Sequence, residues 1–217
     1  MTGLEAPTII GLVTGTINIV SALKTTYDAA NNTQGLPQAF NEVAERLPLV
    51  RDTLQVTEDR LRALSPDEPT SSAIRTTVKE AHEKARKLEI IFQKCLPHED
   101  ASRLSRYVAA LRILGKGNKV EVLMRGLLEN VQDLANNQAI RAATAEQVSA
   151  LARAVEAVGA LEPSVSDDLI DLPSNAVRNH HSGSGDIYSA AGMAEVFNAK
   201  DNARQYRATT MNFGGQE

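Results

Sequence analysis

The sequence predicts an all-α protein, an antiparallel helical bundle followed by a disordered or amyloid-forming C-terminal tail. Three observations carry this. Ala, Leu, Glu, Arg and Lys dominate the first three quarters of the 217 residues, while aromatics make up only 4% and Trp is absent, which is the composition of a helical protein. Up to about position 160, apolar residues recur in steps of three, four or seven, the spacing of one buried stripe on a helix. Beyond Leu172 there is no leucine, and glycine and asparagine become frequent. The expected organisation is a bundle over 1–160, a linker over 161–179 and a separate motif over 180–217.

The first element is "APTIIGLVTGTINIVSAL", residues 6–23, with no charge between Glu5 and Lys24. Its length just reaches that of a membrane span. Thr8, Thr14, Thr16, Asn18 and Ser21 interrupt the apolarity, so a buried or conditionally exposed helix fits better than a constitutive span. Gly11 and Gly15 form a GxxxG spacing. It either lets helices approach in lipid or lets this helix sit inside the bundle.

A second helix follows from Leu36 to Leu64, with Phe40, Val43, Leu47, Val50, Leu54 and Leu61 on its stripe and a kink expected at Pro48. "SPDEPTSS" ends it, Pro66 and Pro69 being the breakers and Thr70, Ser71 or Ser72 the next cap. Ile74, Val78, Ala81, Ala85, Leu88 and Phe92 mark a third helix running up to Pro97. Leu104, Tyr107, Val108, Leu111 and Leu114 mark a fourth, closed by Gly115 and Gly117. From Val120 a fifth carries Leu123, Leu127, Val131 and Leu134. The same stripe is expected to continue, with a bend, through Ile140, Val148, Leu151, Val155 and Val158. Short connections between such helices imply antiparallel neighbours.

The mixture of Pro, Ser and Asp in "EPSVSDDLIDLPSN" reads as linker. In the tail, Tyr188, Phe197, Tyr206 and Phe213 are half of the chain's aromatic residues. Too little apolar surface remains there for a core of its own. "YSAAGM" and "YRATTM" share Tyr, Ala and Met, which suits two rungs of a stacked β structure. A helix from Met193 to Tyr206 is the rival reading.

A net charge of -4 and a pI near 5.7 supply no basic surplus for phosphate neutralisation, so no nucleic-acid partner is expected. Cys95 is the single cysteine, which excludes an intramolecular disulfide and fits a reducing, cytoplasmic compartment. No secretory signal or myristoylation pattern is expected at the start. Gly183 and Gly185 mimic a dinucleotide loop, but Tyr188 stands where its third glycine belongs and a proline-containing segment precedes it. "GKGNK" lacks the Walker spacing. Cys95 and His98 are half a zinc site without a second pair, and His180 and His181 are adjacent. No nucleophile elbow occurs. The chain is therefore expected to be no enzyme and to need no cofactor or metal.

"GLPQAFNEVAERLPLVRDTLQ" (35–55) and "GKGNKVEVLMRGLLENVQDLA" (115–135), with the apolar N-terminal helix, resemble the SesA domain, over roughly residues 8–137. Leu47, Pro48 and Leu49 in the first motif, and Gly115, Lys116 and Gly117 in the second, carry the likeness. This is a fungal helical domain found at the N-terminus of NACHT and other nucleotide-binding death receptors. It is similar to HeLo and HeLo-like cell-death domains, whose N-terminal segment is held to enter membranes. "GSGDIYSAAG", Asn198, Asn202, Asn212 and "MNFGG" resemble the sigma-type amyloid motif of fungal death pathways.

The resemblance implies an effector of regulated cell death, of the heterokaryon-incompatibility or innate-immunity kind. A NACHT-type receptor bearing a matching motif would template residues 180–217 into a prion-like stack of self-copies. Gly183, Gly185, Tyr188, Gly192, Phe197, Asn198, Asn202, Tyr206, Asn212, Phe213 and Gly214 would be its motif residues. The cytoplasmic chain would then move to plasma-membrane lipids. Ile9, Ile10, Gly11, Leu12, Val13, Gly15, Ile17, Ile19, Val20 and Leu23 would enter the bilayer as a pore-forming or permeabilising helix. The alternative is a non-lytic adaptor or inhibitor that binds death-pathway receptors.

Overall fold

The computed structural model describes residues 5–30, 34–63, 67–97, 103–140 and 143–171, all within one compact unit, Met1–Asp171. The described residues are helical and contain no strand. In chain order the helices are α1 (Glu5–Asp28), α2 (Ala39–Ala63), α3 (Glu68–Cys95), α4 (Arg103–Leu114), α5 (Val120–Asn136), α6 (Ala145–Gly159) and α7 (Asp167–Asp171), with a 3₁₀ turn at Lys116–Asn118 between α4 and α5. The all-α expectation holds. α1 packs against α2 and α3, α5 against α2, α3 and α6, α4 against α3, and α7 against α4.

The periodic stripes form the core. Phe40, Val43, Leu47, Val50 and Leu54 of α2 are buried with Ile74, Val78, Ala81, Ala85, Leu88 and Phe92 of α3 and with Leu123, Leu127, Val131 and Leu134 of α5. Few aromatics are needed because they are gathered. Phe40 meets Phe92 at 5.3 Å and Tyr107 edge-on at 5.0 Å between ring centroids, an arrangement that adds to the burial itself. Pro48 lies inside α2, which runs through it without interruption.

Helix ends explain three differences from expectation. The cap of α3 is Asp67, whose side chain accepts the Thr70 N–H, and Pro69 stands in the first turn, where a missing N–H is no loss. α6 is a helix in its own right, not a continuation of α5. α5 stops at Asn136, and α6 starts at a capping box in which Thr144 and Gln147 satisfy each other's backbone N–H groups. Ile140 between them is still buried, so the stripe continues while the helix does not.

Finally, residues 161–171 are not a linker. Val165 and Ile170 are buried, the Ser164 hydroxyl pairs with Tyr107 Oη at 2.7 Å, and the Ser164 N–H donates to Glu121 Oε1 at 2.9 Å. The bundle thus reaches Asp171, beyond the boundary at 160. Residues 172–179, and all of 180–217 with the motif residues named above, lie outside the described residues.

Gly115 ends α4 as expected. Its φ of +95° is one that only glycine adopts at little cost, and its N–H donates to the Leu111 carbonyl at 2.8 Å. Arg103, fully buried at the start of α4, donates to the carbonyls of Gln34 and Leu96, each at 3.3 Å. It thereby fixes α4 to the segment before α2 and to the end of α3. At the α3–α5 seam, Lys84 donates to Asn130, and Asn130 to Glu80. A Cβ on Gly126 would fall 2.6 Å from Lys84 Cε, so the glycine makes room for that stem.

Candidate functional site

The N-terminal helix carries most of the residues singled out from the sequence, and its surroundings decide what it can do. The charge-free stretch allows α1 to be buried along one face. Ile9, Val13, Thr16, Ile17, Ile19, Val20 and Leu23 are buried, and Ile10 and Leu12 are partly buried against the core. Thr8, Gly11, Asn18, Ala22 and Thr25 are exposed, and at 100° per residue they form one outer stripe. The large apolar side chains point in and the small or polar residues point out. Among the described residues, α1 is the one helix long and apolar enough to cross a membrane, a property that core helices of soluble proteins share.

The two glycines of the GxxxG pair have different surroundings. Gly11 lies on the outer stripe, with no atom within 4 Å of where a Cβ would stand. Gly15 faces α3, where the His82 ring would be 3.3 Å from its Cβ. Close packing onto the bundle therefore uses Gly15 and leaves Gly11 free.

Side-chain hydroxyls tie α1 to its neighbours, among them that of Tyr27, which donates to Asn41 Oδ1 of α2 at 3.2 Å. The Thr14 hydroxyl donates to Glu58 Oε1 of α2 at 2.5 Å, with the Ile10 carbonyl 2.9 Å away. Thr16 donates to the Leu12 carbonyl at 2.8 Å and lies 3.1 Å from His82 Nδ1 of α3. Glu58 is a buried carboxylate, tolerable because Arg62 NH2 pairs with Oε1 at 2.6 Å and Gln55 donates to Oε2 at 3.3 Å. The Thr14 hydrogen bond, followed by those from Arg62 and Gln55 and the Arg62 charge, holds the Glu58 carboxyl below its ordinary value against the opposing effect of burial. In the sequence these threonines look like flaws in an apolar helix. In the fold they are its polar attachments, and Glu58, Arg62 and His82 carry no sequence signal that marks them as partners.

The remaining candidates provide little chemistry. Cys95 is buried, and burial pushes its thiol up to about 12, so it is not a nucleophile near neutral pH. His98, His180 and His181 lie outside the described residues. Among the described residues no group of three or more His, Cys, Asp or Glu is placed to hold a metal ion.

The second sequence motif forms a junction. "GKGNK" is the turn from α4 to α5, and Tyr107 of α4 supplies what Lys119, the N-cap residue, does not: its hydroxyl accepts the Val120 N–H at 3.0 Å. Lys119 turns to Asp167 at 2.7 Å, and Lys116 pairs with Asp171. The motif thus joins α4, α5 and the returning segment 164–171. No curated protein and no solved structure matches the chain. A family model described as SesA, the N-terminal domain on NACHT NTPases and P-loop NTPases, matches residues 13–134, from within α1 to the end of the α5 stripe, including the first motif and the second up to Leu134. The chain belongs to the SesA family.

Proposed function

We propose that this chain is a non-enzymatic effector of fungal regulated cell death, in which α1 is the membrane-active element and residues 180–217 are the trigger. A NACHT-type receptor carrying a matching motif templates the tail into a cross-β stack. Stacking raises the local concentration of bundles, and α1 exchanges its place in the bundle for the plasma membrane. Membership of a family found on NACHT NTPases supports the receptor as the upstream partner. The observation that carries the lytic step is α1 itself: a 24-residue helix with no charge from position 6 to 23, whose polar attachments include the hydroxyls of Thr14, Thr16 and Tyr27. At about 1.5 Å per residue its uncharged part is close to the thickness of a hydrocarbon core.

One observation favours a second reading. The inward face of α1 is part of the same core as α2 and α3, as expected of an adaptor whose first helix never leaves. Seeding separates the two. Full-length protein seeded with aggregated 180–217 peptide should release dye from liposomes, whereas unseeded protein should not. Fibres without leakage would assign the chain to the adaptor class, and a peptide without cross-β diffraction would remove the templating step.

A further inference from the structure

The surface beneath residues 164–171 has no part in the reading above. Arg112 Nε donates to the Ile170 carbonyl at 2.9 Å, Lys119 pairs with Asp167 at 2.7 Å, and Lys116 pairs with Asp171. Three cations from the end of α4, the glycine turn and the start of α5 thus meet oxygens of one short segment. The segment's carboxylates are not locked in place. The Asp167 and Asp171 side chains remain 61% and 58% exposed. The Lys116–Asp171 pair, exposed on both sides, exchanges readily with other anions, while the Lys119 side chain, 11% exposed, is uncovered only when the segment lifts. The stronger restraints are Val165, Ile170 and the Ser164–Tyr107 pair.

A second observation falls on the same surface. Leu104, Ile113 and Val122 are the large apolar side chains exposed among the described residues, Ile113 at 74% and Val122 at 49%. Ile113, in the last turn of α4, stands three residues before Lys116, and Val122 lines one shallow cleft with Lys119. An acidic protein segment would satisfy the lysines and leave Ile113 in water. An anionic bilayer satisfies both, since its headgroups meet the cations while short aliphatic side chains enter the acyl boundary.

We propose that Arg112, Lys116 and Lys119, with Ile113 and Val122, form a docking surface for anionic membrane lipid, and that Asp167 and Asp171 occupy it in cis until the segment lifts. Adsorption of this kind brings the bundle to a bilayer without insertion of α1. The cations lie within the family match at 13–134, whereas the segment that covers them lies beyond it.

The test is co-sedimentation of the full-length chain with vesicles of phosphatidylcholine alone or with about 30% phosphatidylserine, the anionic lipid that juxtamembrane lysines seek. Asp167→Asn with Asp171→Asn should raise binding to anionic vesicles on the order of tenfold and leave neutral vesicles unaffected. In that background Lys116→Ala should weaken binding on the order of fivefold, Lys119→Ala by a similar factor, and salt should do the same. Lys116 is the more exposed of the two, so its variant reads out even if Lys119→Ala disturbs the fold. No gain on changing the aspartates would overturn the proposal, as would equal binding to neutral vesicles or preferential capture of a poly-glutamate peptide. Dye release is not read, so failure of this surface and failure of the α1 mechanism are distinguishable.

Discussion

α1 and the segment 161–171 are both packed on the same bundle, and they are held there by opposite means. α1 is held by area: Ile9, Val13, Ile17, Ile19, Val20 and Leu23 are buried, and such side chains contribute about 1.5–3 kcal/mol each. Together they are worth about 10 kcal/mol or more, comparable to the total stability of a typical domain. The returning segment buries two aliphatic side chains, Val165 and Ile170, and adds one hydroxyl pair and ion pairs at the surface. The difference sets an order of events. On the mechanism proposed, the segment lifts while the bundle stays folded, whereas departure of α1 into water would cost most of the stability of a typical domain. Its departure requires somewhere else to bury the same face, which a bilayer provides.

The largest expected effect is therefore in α1. Val13→Asp buries an unpaired charge in the core and should cost about 3–5 kcal/mol or more, read as a collapse of the urea midpoint. A near-parental midpoint would mean that α1 is not part of the core and would erase the contrast. Tyr107→Phe comes next. It leaves the Val120 N–H without its acceptor and removes the Ser164 pair, so about 1–3 kcal/mol is expected, with faster amide exchange at Val120 and across 161–171.

Glu58→Gln follows, at about 1–2 kcal/mol, because Arg62 and Thr14 lose a charged acceptor. It also gives a pH signature. The folded carboxyl lies below its ordinary value of 4.5, chiefly through Thr14 and then Arg62 and Gln55, so the unfolded chain binds the proton first. Its stabilisation is complete above the ordinary range and is lost as pH falls through the lowered value. Stability of the parent should decline below about pH 5, and less steeply in Glu58→Gln. The smallest effect is that of Asp167→Asn. Asp167 is likewise held below its ordinary value, first by the Lys119 hydrogen bond and then by the Lys119 charge, but its own side chain is 61% exposed. The global midpoint should not move, while amide exchange within 164–171 rises. A clear loss of global stability would show that the segment is as integral as α1.

These two regions differ as much in how they could be read from the sequence. The stripes of α2, α3, α4 and α5 were legible because each repeats an apolar residue over several turns. The separate start of α6 was not read from that pattern, since Ile140 keeps the stripe going, although Thr144 and Gln147 already had capping-box spacing. The segment 161–171 was illegible for the opposite reason. Two buried aliphatics among prolines, serines and aspartates make no period, and its partners Tyr107, Glu121 and Lys119 are more than forty residues away. The composition of α1 was plain, but the roles of its threonines were not, because a hydroxyl's worth depends on Glu58 and His82, which only the tertiary fold brings near.

The structure also identifies the cleanest probe of α1. Ile17 is buried, so Ile17→Lys would stop leakage simply by unfolding the bundle. Gly11 stands on the outer stripe with nothing within 4 Å of a Cβ, and replacing a mid-helix glycine favours the helix. A lysine there leaves the soluble fold intact and costs about 2.5–3.5 kcal/mol only when the helix is in a bilayer. The decisive measurement is dye release from liposomes by Gly11→Lys protein, matched to the parent in urea midpoint and in seeded fibre formation. The account predicts that the parent leaks and the variant does not. Equal leakage from both would contradict insertion of α1.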